Sequence, residues 1–152
     1  MFGEEIMKKA EIVILDNEEQ YRDFYNSIFV EKDFFIGDIP VSFIKKDFDH
    51  IFFEPGKGGD YRFSARRAKR MLFIREILAG NFNTELMYED DRGTFAIFCF
   101  DLECVIYLRS RIGSGKLQMG TFFDFGKNHQ KMYLKQKKKC IEITLQELKN
   151  KL

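Results

Sequence analysis

The chain has 152 residues, a formal net charge of +1 and 45% hydrophobic residues, a composition typical of a globular protein with one core. It contains no apolar run near the roughly 20 residues that cross a bilayer, and its start does not resemble an export signal. We therefore exclude a membrane partner and expect one cytoplasmic domain over residues 1–152.

Charge is distributed unevenly along the chain. Residues 1–60 contain seven Lys or Arg against fourteen Asp or Glu, a net of −7, and residues 61–152 contain eighteen against ten, a net of +8. A basic half is compatible with a polyanion partner such as RNA.

Cysteine and histidine are too few to predict a metal site. The three cysteines (Cys99, Cys104 and Cys140) are odd in number and lack paired spacing, which predicts reduced thiols. A closed zinc site takes about four ligands, which these residues and two histidines do not readily supply. We expect neither a metal nor another cofactor.

The first part of the chain predicts a strand followed by a helix. The segment Glu11–Leu15 is short, apolar and β-branched, which favours a strand. Asp16 or Asn17 is a suitable cap for the helix. Apolar residues then recur at helical spacing, namely Tyr21, Phe24, Tyr25 and Ile28.

Two further segments precede a glycine-rich loop. Lys32–Lys46 contains Pro40 and predicts only short extended pieces. Phe48–Glu54 is apolar and predicts a strand. Three glycines and a proline in Pro55–Asp60 predict a loop, which lacks the ending of a phosphate-binding P-loop.

The most regular helix is predicted over Ala65–Leu78, with Ser64 as its N-cap and Gly80 just beyond its end. Its first turns carry four cations, which oppose the helix dipole unless an anion lies nearby. A solvated basic face and an anion-binding site are both open interpretations of this cluster, which consists of Arg66, Arg67, Lys69 and Arg70.

The following forty residues predict an antiparallel meander, because extended segments alternate with turn residues. The strands are predicted at Asn83–Glu89, Thr94–Phe100, Glu103–Arg109 and Lys116–Phe123, with turns at 90–93, 101–102 and 111–115. The C-terminal part predicts a helix at Lys127–Lys138, an extended piece at Cys140–Thr144 and a helix at Leu145–Leu152. This order predicts an α+β fold in which helices pack on one face of a four- to five-stranded, mainly antiparallel sheet.

Two histidines are candidates for proton transfer, because imidazole titrates near neutral pH. In the strand predicted at Phe48–Glu54, alternation places His50 on one face with Phe48 and Phe52. A half-buried structural histidine is the alternative interpretation of His50, and both stay open. His129 lies among lysines, and we expect it to be solvated.

Four motifs together resemble the phage- and mobile-element-associated branch of the barnase–EndoU–colicin–RelE (BECR) nucleases. They are H-x-F-F-E at His50–Glu54, F-x-x-x-R-A-x-R at Phe63–Arg70, V-I-Y-L-R at Val105–Arg109 and K-L-Q-M-G-T-F-F at Lys116–Phe123. The resemblance divides the chain into an acidic segment (1–47), a BECR-like core (48–125) and a basic C-terminal segment (126–152).

The resemblance implies a helix packed on a four-stranded sheet and cleavage of RNA through its 2′-hydroxyl without a metal. In that role, His50 is the general acid or base, arginines bind the phosphate, and two strands contribute the active face. The implied catalytic residues are His50, Arg67, Arg70, Tyr107, Arg109 and Thr121, and the expected RNA-binding residues are Arg66, Lys69, Lys116 and Lys127.

Three functions follow as alternatives. The first is an endoribonuclease, acting on tRNA or another RNA as a toxin or phage effector, with an antitoxin or immunity protein as a further partner. The second is a non-catalytic domain that binds RNA or a protein on the same scaffold. The third is a regulator whose acidic first 60 residues bind a partner.

Overall fold

The computed structural model describes residues 10–89, 93–111 and 113–152, excluding the side chain of Arg111. The expectations for the first nine residues, for residues 90–92 of one predicted turn and for residue 112 of another lie outside this description.

A seven-stranded sheet forms the centre of the fold. In chain order the strands are β1 (Phe34–Ile36), β2 (Ile39–Ser42), β3 (Phe53–Pro55), β4 (Tyr61–Phe63), β5 (Thr84–Glu89), β6 (Thr94–Cys99), β7 (Cys104–Arg111), β8 (Lys116–Asp124) and β9 (Ile141–Glu142). The sheet order is β1-β2-β8-β7-β6-β5-β9, and β3 and β4 form a separate hairpin. The predicted meander is confirmed as the four antiparallel strands β5 to β8.

The helices are α1 (Glu18–Ile28), α2 (Asp47–Phe52), α3 (Ala65–Ala68), α4 (Met71–Leu78), α5 (His129–Lys137) and α6 (Leu145–Lys151), and a short 3-10 turn at Gly126–Asn128 precedes α5. The predicted cap at Asn17 is confirmed, since its side chain accepts the backbone N–H of Gln20. Among the described residues, no helix is both long enough and apolar enough to cross a membrane.

The long helix predicted over Ala65–Leu78 is interrupted at Lys69 and Arg70, which separates α3 from α4. Ser64 caps α3 as predicted. At the interruption, two backbone carbonyls accept hydrogen bonds from donors other than the backbone N–H groups of the same helix. The Arg70 guanidinium donates to the carbonyl of Arg66 at 2.7 Å, and the backbone N–H of Val13 donates to the carbonyl of Lys69 at 2.8 Å. These bonds stabilise the break by satisfying backbone groups that a continuous helix would pair internally.

The segment Glu11–Leu15, predicted to be a strand, pairs with no strand. Besides the bond from Val13 to the helix break, its backbone is held by the Tyr21 phenol. That phenol donates to the carbonyl of Val13 at 2.9 Å and accepts the N–H of Leu15 at 3.1 Å. Side-chain hydrogen bonding therefore replaces the expected sheet pairing.

The strand predicted at Phe48–Glu54 is also wrong, because most of it forms α2. Its buried residues Phe48, Ile51 and Phe52 have the i, i+3, i+4 spacing of one helix face. The same apolar residues fit a short buried strand equally well, so periodicity alone does not separate the two structures. Only the end of the segment, from Phe53, is extended.

The fold is α+β, but the expected sheet of four to five strands with helices on one face is wrong. Helices α1, α2, α4 and α6 contribute residues to one core, for example Tyr25, Phe48, Ile74 and Leu148. We call the side of the sheet that lines this core the first face. On the opposite, second face, Tyr133 of α5 packs in a smaller core.

The strand β6 explains why helices cover both faces. Its alternate residues Phe95 and Ile97 belong to the first core, and Ala96 and Phe98 belong to the second. A strand that is apolar on both sides must be covered on both sides. The additional strands come from short segments far away in the chain, such as β2, which pairs with β8 in parallel.

A β-bulge interrupts the pairing of β7 with β8. Tyr107 pairs with Thr121 whereas Leu108 pairs with Met119, so Gly120 is the extra residue. An added Cβ at Gly120 would lie 2.9 Å from the carbonyl oxygen of Tyr107. Since bulges redirect the side chains beside them, this glycine helps to set the orientation of Thr121.

We expect Gly120→Ala to lower the free energy of unfolding by about 1–3 kcal/mol, because a backbone carbonyl must move to admit the methyl group. Gly56→Ala is the matched control. The atoms nearest to its added Cβ belong to the Arg62 side chain, at 2.8–3.3 Å. That side chain is flexible and can move away, so we expect a change within about 0.5 kcal/mol. Urea unfolding of the three proteins measures both effects, and equal losses in the two variants would contradict the role given to the bulge.

Candidate functional site

A cavity of about 580 Å³ opens on the second face of the sheet. Strands β7 and β8 supply much of its lining, and residues of β4, β5, β6, α2 and α5 and of the adjoining loops supply the rest. The lining residues are His50, Tyr61, Glu89, Thr94, Tyr107, Arg109, Gly120, Thr121, Phe123, Phe125, Met132, Gln136 and Lys139. Four of the six predicted catalytic residues are among them.

Strand alternation brings two of these four residues together. Tyr107 and Arg109 are two positions apart on β7, so their side chains point to the same face. Thr121 is the cross-strand partner of Tyr107 on β8. All three therefore lie on the second face, as the motif resemblance implied for the active face.

His50 reaches this face from α2, not from a strand. The pairing of β2 with β8 covers only Leu117 and Gln118, and α2 lies against β8 farther along. There the Thr121 hydroxyl donates to the carbonyl of His50 at 2.9 Å. This bond joins α2 to the bulged part of β8, and His50, an exposed residue, lines the cavity.

A buried carboxylate holds Arg109. The Asp47 side chain is only 3% exposed, and its Oδ1 lies 3.4 Å from Nη2 of the half-exposed Arg109. The Gln118 amide donates to both oxygens of Asp47, at 3.2 and 3.0 Å. Because one carboxylate binds one edge of the guanidinium, the remaining N–H donors of Arg109 can serve a ligand.

Asp47 was missed by the sequence analysis. Its signal was an acidic residue directly before an apolar segment, a position that suits the first turn of a helix. Because the segment was interpreted as a strand, Asp47 was not recognised as the first residue of a helix.

The structure places Arg67 outside the cavity. Its side chain is buried, donates to the carbonyl of Phe53 at 3.0 Å and lies 3.5 Å from the carboxylate of Glu54. Its guanidinium also stacks 4.4 Å from the ring centre of Phe123. Burial lowers the pKa of Arg67 from its usual value, an effect that the nearby carboxylates of Glu54 and Asp124 oppose.

Arg70 also lies outside the cavity, although Arg70 and Arg67 were both expected to bind phosphate. Arg70 Nη1 is 3.6 Å from the carboxylate of Asp124, which is itself largely buried. The negative charge beside this arginine cluster therefore comes from the carboxylates of Glu54 and Asp124.

The four expected RNA-binding residues do not line the cavity either. Arg66 forms ion pairs with Glu54 at 3.4 Å and Asp124 at 3.6 Å. Lys69 is half-buried at the helix break, and Lys116 and Lys127 are exposed. Lys139, which does line the cavity, was not among the residues predicted from the sequence.

Tyr107 is a protonated donor at neutral pH. Burial raises the pKa of its phenol to about 12, with smaller contributions from Cys140 and Glu89. Its hydroxyl lies 3.4 Å from Oε1 of Gln136 on α5. Tyr107 therefore links the sheet to the helix that forms one wall of the cavity.

His129 is buried, so the expectation that it is solvated is wrong. Its side chain is enclosed by the rings of Phe98, Phe100 and Phe125, and Nε2 lies 3.2 Å from the carbonyl oxygen of Cys104. This contact attaches the start of α5 to β7. Of the two histidines, His50 alone is exposed.

Across the residues that the structure describes, no group of three or more His, Cys, Asp or Glu side chains is arranged to hold a metal ion. In comparisons with known proteins, no family model, curated protein or solved structure matches the chain. The resemblance to BECR nucleases therefore rests on the four sequence motifs.

The raised pKa of Tyr107 predicts a loss of stability at alkaline pH. The folded-state pKa lies above the value of about 10 for an exposed tyrosine, so the stabilisation is complete below pH 10 and is lost as pH rises toward 12. We expect the free energy of unfolding to fall less steeply over this range in Tyr107→Phe than in the wild type. Urea unfolding at successive pH values measures these slopes.

Tyr61→Phe is the control for that experiment, because the Tyr61 side chain is 71% exposed in the folded protein and its environment changes little on unfolding. Its slope should equal that of the wild type. A Tyr107→Phe slope equal to that of the wild type would contradict the prediction.

Proposed function

We propose that the protein is an endoribonuclease that cleaves RNA by attack of the ribose 2′-hydroxyl and requires no metal, with the cavity on the second face as its active site. One observation carries this proposal. The exposed residue His50 and the half-exposed Arg109 line the same cavity, although 59 positions separate them in the chain.

The reaction needs groups of the kinds that line the cavity. In the first step the 2′-oxygen forms a bond to phosphorus as the bond from phosphorus to the 5′-oxygen breaks. A base takes the proton of the 2′-hydroxyl, and an acid gives a proton to the departing 5′-oxygen. Imidazole performs either transfer near neutral pH, and His50 takes one of these roles. Glu89, which also lines the cavity, is the candidate for the other.

Negative charge on the phosphate increases in the transition state, and a fixed cation there stabilises it. Arg109 suits this task because its planar guanidinium donates paired hydrogen bonds to phosphate oxygens. The buried Asp47 carboxylate orients the guanidinium before the substrate binds. The phenol of Tyr107, protonated at neutral pH, is a further donor on the same strand face.

The remaining lining residues suit an unpaired RNA strand. Phe123 and Phe125 offer aromatic rings within the cavity, and the exposed ring of Tyr61 lies at its border. Proteins that recognise single-stranded RNA commonly stack its bases on such rings. We therefore propose unpaired regions of RNA, such as the loops of a tRNA, as substrates.

A second candidate function is an RNA-binding domain without catalysis. It is favoured by the arginines of α3 and the following turn, which form ion pairs with Glu54 and Asp124. Among the described residues, Arg109 and Lys139 are therefore the Lys and Arg residues that line the cavity, fewer than the motif resemblance implied. An antitoxin or immunity protein as partner stays a prediction that accompanies the toxin hypothesis.

Cleavage of RNA in EDTA tests the proposal. We expect the wild type to cut total RNA and purified tRNA, leaving 2′,3′-cyclic phosphate ends. His50→Ala and Arg109→Gln should each lower the rate about 100-fold or more, since they remove a proton-transfer group and the phosphate cation respectively. Sequencing of the products and gel assays of the rates provide the measurements.

Two variants control for changes unrelated to the cavity. Lys46→Ala removes an exposed side chain next to α2, and Arg75→Gln removes a half-exposed guanidinium on α4. Neither residue lines the cavity, so both variants should cleave at the wild-type rate. Full activity of His50→Ala would reject this active site, and RNA binding by a wild type that cleaves nothing would favour the second function.

A further inference from the structure

The outer surface of α5 carries three exposed lysines in a row. Lys131, Lys135 and Lys138 are spaced by four and three residues, so they lie on one side of the helix and its last turn. We call them the lysine stripe. Seven positions separate the first lysine from the last, which corresponds to about 10 Å along a helix axis.

The stripe differs from its neighbour Lys137 in its interactions. Lys137 Nζ lies 3.8 Å from Glu85 and donates to the phenol of Tyr133 at 3.1 Å. Within the described part of the chain, the three stripe lysines form no ion pair and no side-chain hydrogen bond. Three like charges on one side of a helix repel one another, and an anionic ligand would relieve that repulsion.

The stripe adjoins the proposed active site. Met132 and Gln136 lie on α5 and line the cavity, and Lys139 directly after the stripe does so as well. Met132 follows Lys131 by one residue, a rotation of about 100° around the helix. The lysine side of α5 therefore continues into its cavity side without an intervening acidic residue.

From this placement we infer that the lysine stripe binds the phosphates of a single RNA strand whose scissile phosphodiester occupies the cavity. The inference rests on the proposed function for the identity of the strand. At 3.4 Å per nucleotide of a stacked strand, the 10 Å row corresponds to about three nucleotides. The enzyme would thus contact RNA beyond the nucleotides that it cuts.

The shape of α5 argues against a membrane surface as the ligand. A helix that lies on a bilayer needs a free apolar side opposite its lysines. In α5 that opposite side is used in the fold, because Tyr133 and His129 are buried against the sheet. Leu134 is the large apolar residue of α5 that stays exposed, which is too little for insertion.

Binding can be measured apart from cleavage. The probe is a fluorescein-labelled 12-nucleotide single strand with 2′-O-methyl groups, which lacks the hydroxyl needed for the reaction. Fluorescence anisotropy in increasing KCl gives the affinity and its salt dependence for the wild type and for the triple variant Lys131→Gln, Lys135→Gln, Lys138→Gln. The slope of log affinity against log salt should decrease in magnitude by about 2, because each lysine–phosphate contact with a single strand contributes about 0.7.

A second triple variant carries the same change in charge on other elements. It consists of Lys32→Gln in the segment after α1 and of Lys149→Gln and Lys151→Gln in α6. Both helices pack on the first face. We expect this variant to keep the wild-type affinity and slope. Equal slopes for the wild type and the stripe variant would overturn the inference, as would stripe-dependent binding to phosphatidylserine vesicles without binding to the RNA probe.

Cleavage assays separate the failure of this inference from the failure of the proposed function. The stripe variant should cut a dinucleotide at the wild-type rate and a 12-nucleotide RNA with a higher KM. If the wild type cuts RNA but the stripe variant binds the probe normally, the proposed nuclease function is supported and phosphate binding by the stripe is rejected. If the wild type cuts nothing but needs the stripe to bind the probe, the stripe stands and the nuclease proposal is rejected.

Discussion

The buried carboxylate of Asp47 is the interaction on which the arrangement of the cavity depends. An isolated carboxylate inside a protein is unfavourable unless hydrogen bonds and a counter-charge compensate for lost water. Gln118 supplies two hydrogen bonds and Arg109 supplies the charge. Since Asp47 begins α2, these contacts attach that helix to β7 and β8 and bring His50 to the second face. The same carboxylate thereby positions both groups on which the proposed chemistry rests.

A second set of carboxylates explains why Arg66, Arg67 and Arg70 lie outside the cavity. The helical segment from Ala65 onward carries four cations in its first turns, yet Glu54 and Asp124 lie within 3.4–3.6 Å of the guanidinium groups of three arginines. These ion pairs connect the β3–β4 hairpin and the end of β8 to the helix. The arginines that the sequence suggested for phosphate binding therefore form ion pairs within the fold. Of the residues that the structure describes, Arg109 on the sheet and Lys139 just after α5 are the Lys and Arg residues that line the cavity.

The parts of the fold that could be predicted are those determined by local sequence. Strands β5 to β8 follow one another with short turns, so alternation and turn residues suffice to locate them. Capping by Asn17 and Ser64 also depends on neighbouring residues alone. The pairing of β2 with β8 joins Val41 to Leu117, and strands of two to four residues have too little periodicity to be recognised from the sequence.

The candidate site could be predicted only in part for the same reason. The shared face of Tyr107 and Arg109 follows from strand alternation, and His50 was selected because imidazole is uncommon and chemically suited. An anion near Arg67 and Arg70 was one of two open interpretations of the basic cluster, and the sequence does not show that Glu54 and Asp124, distant in the chain, supply it. The burial of His129 could not be predicted either. Its polar neighbours in the sequence predict exposure, whereas tertiary contacts bury it.

The length of α5 determines where an opening can exist on the second face. Nine residues form a helix of about 13–14 Å, which covers only part of a seven-stranded sheet. Its buried residues His129 and Tyr133 lie near Phe98 on β6, and the surface around Tyr107 and Thr121 stays open. On the first face several helices together cover the sheet, and the core there is continuous. The proposed RNA site therefore lies on the second face, beside a helix that leaves space and carries the lysine stripe along its outer side.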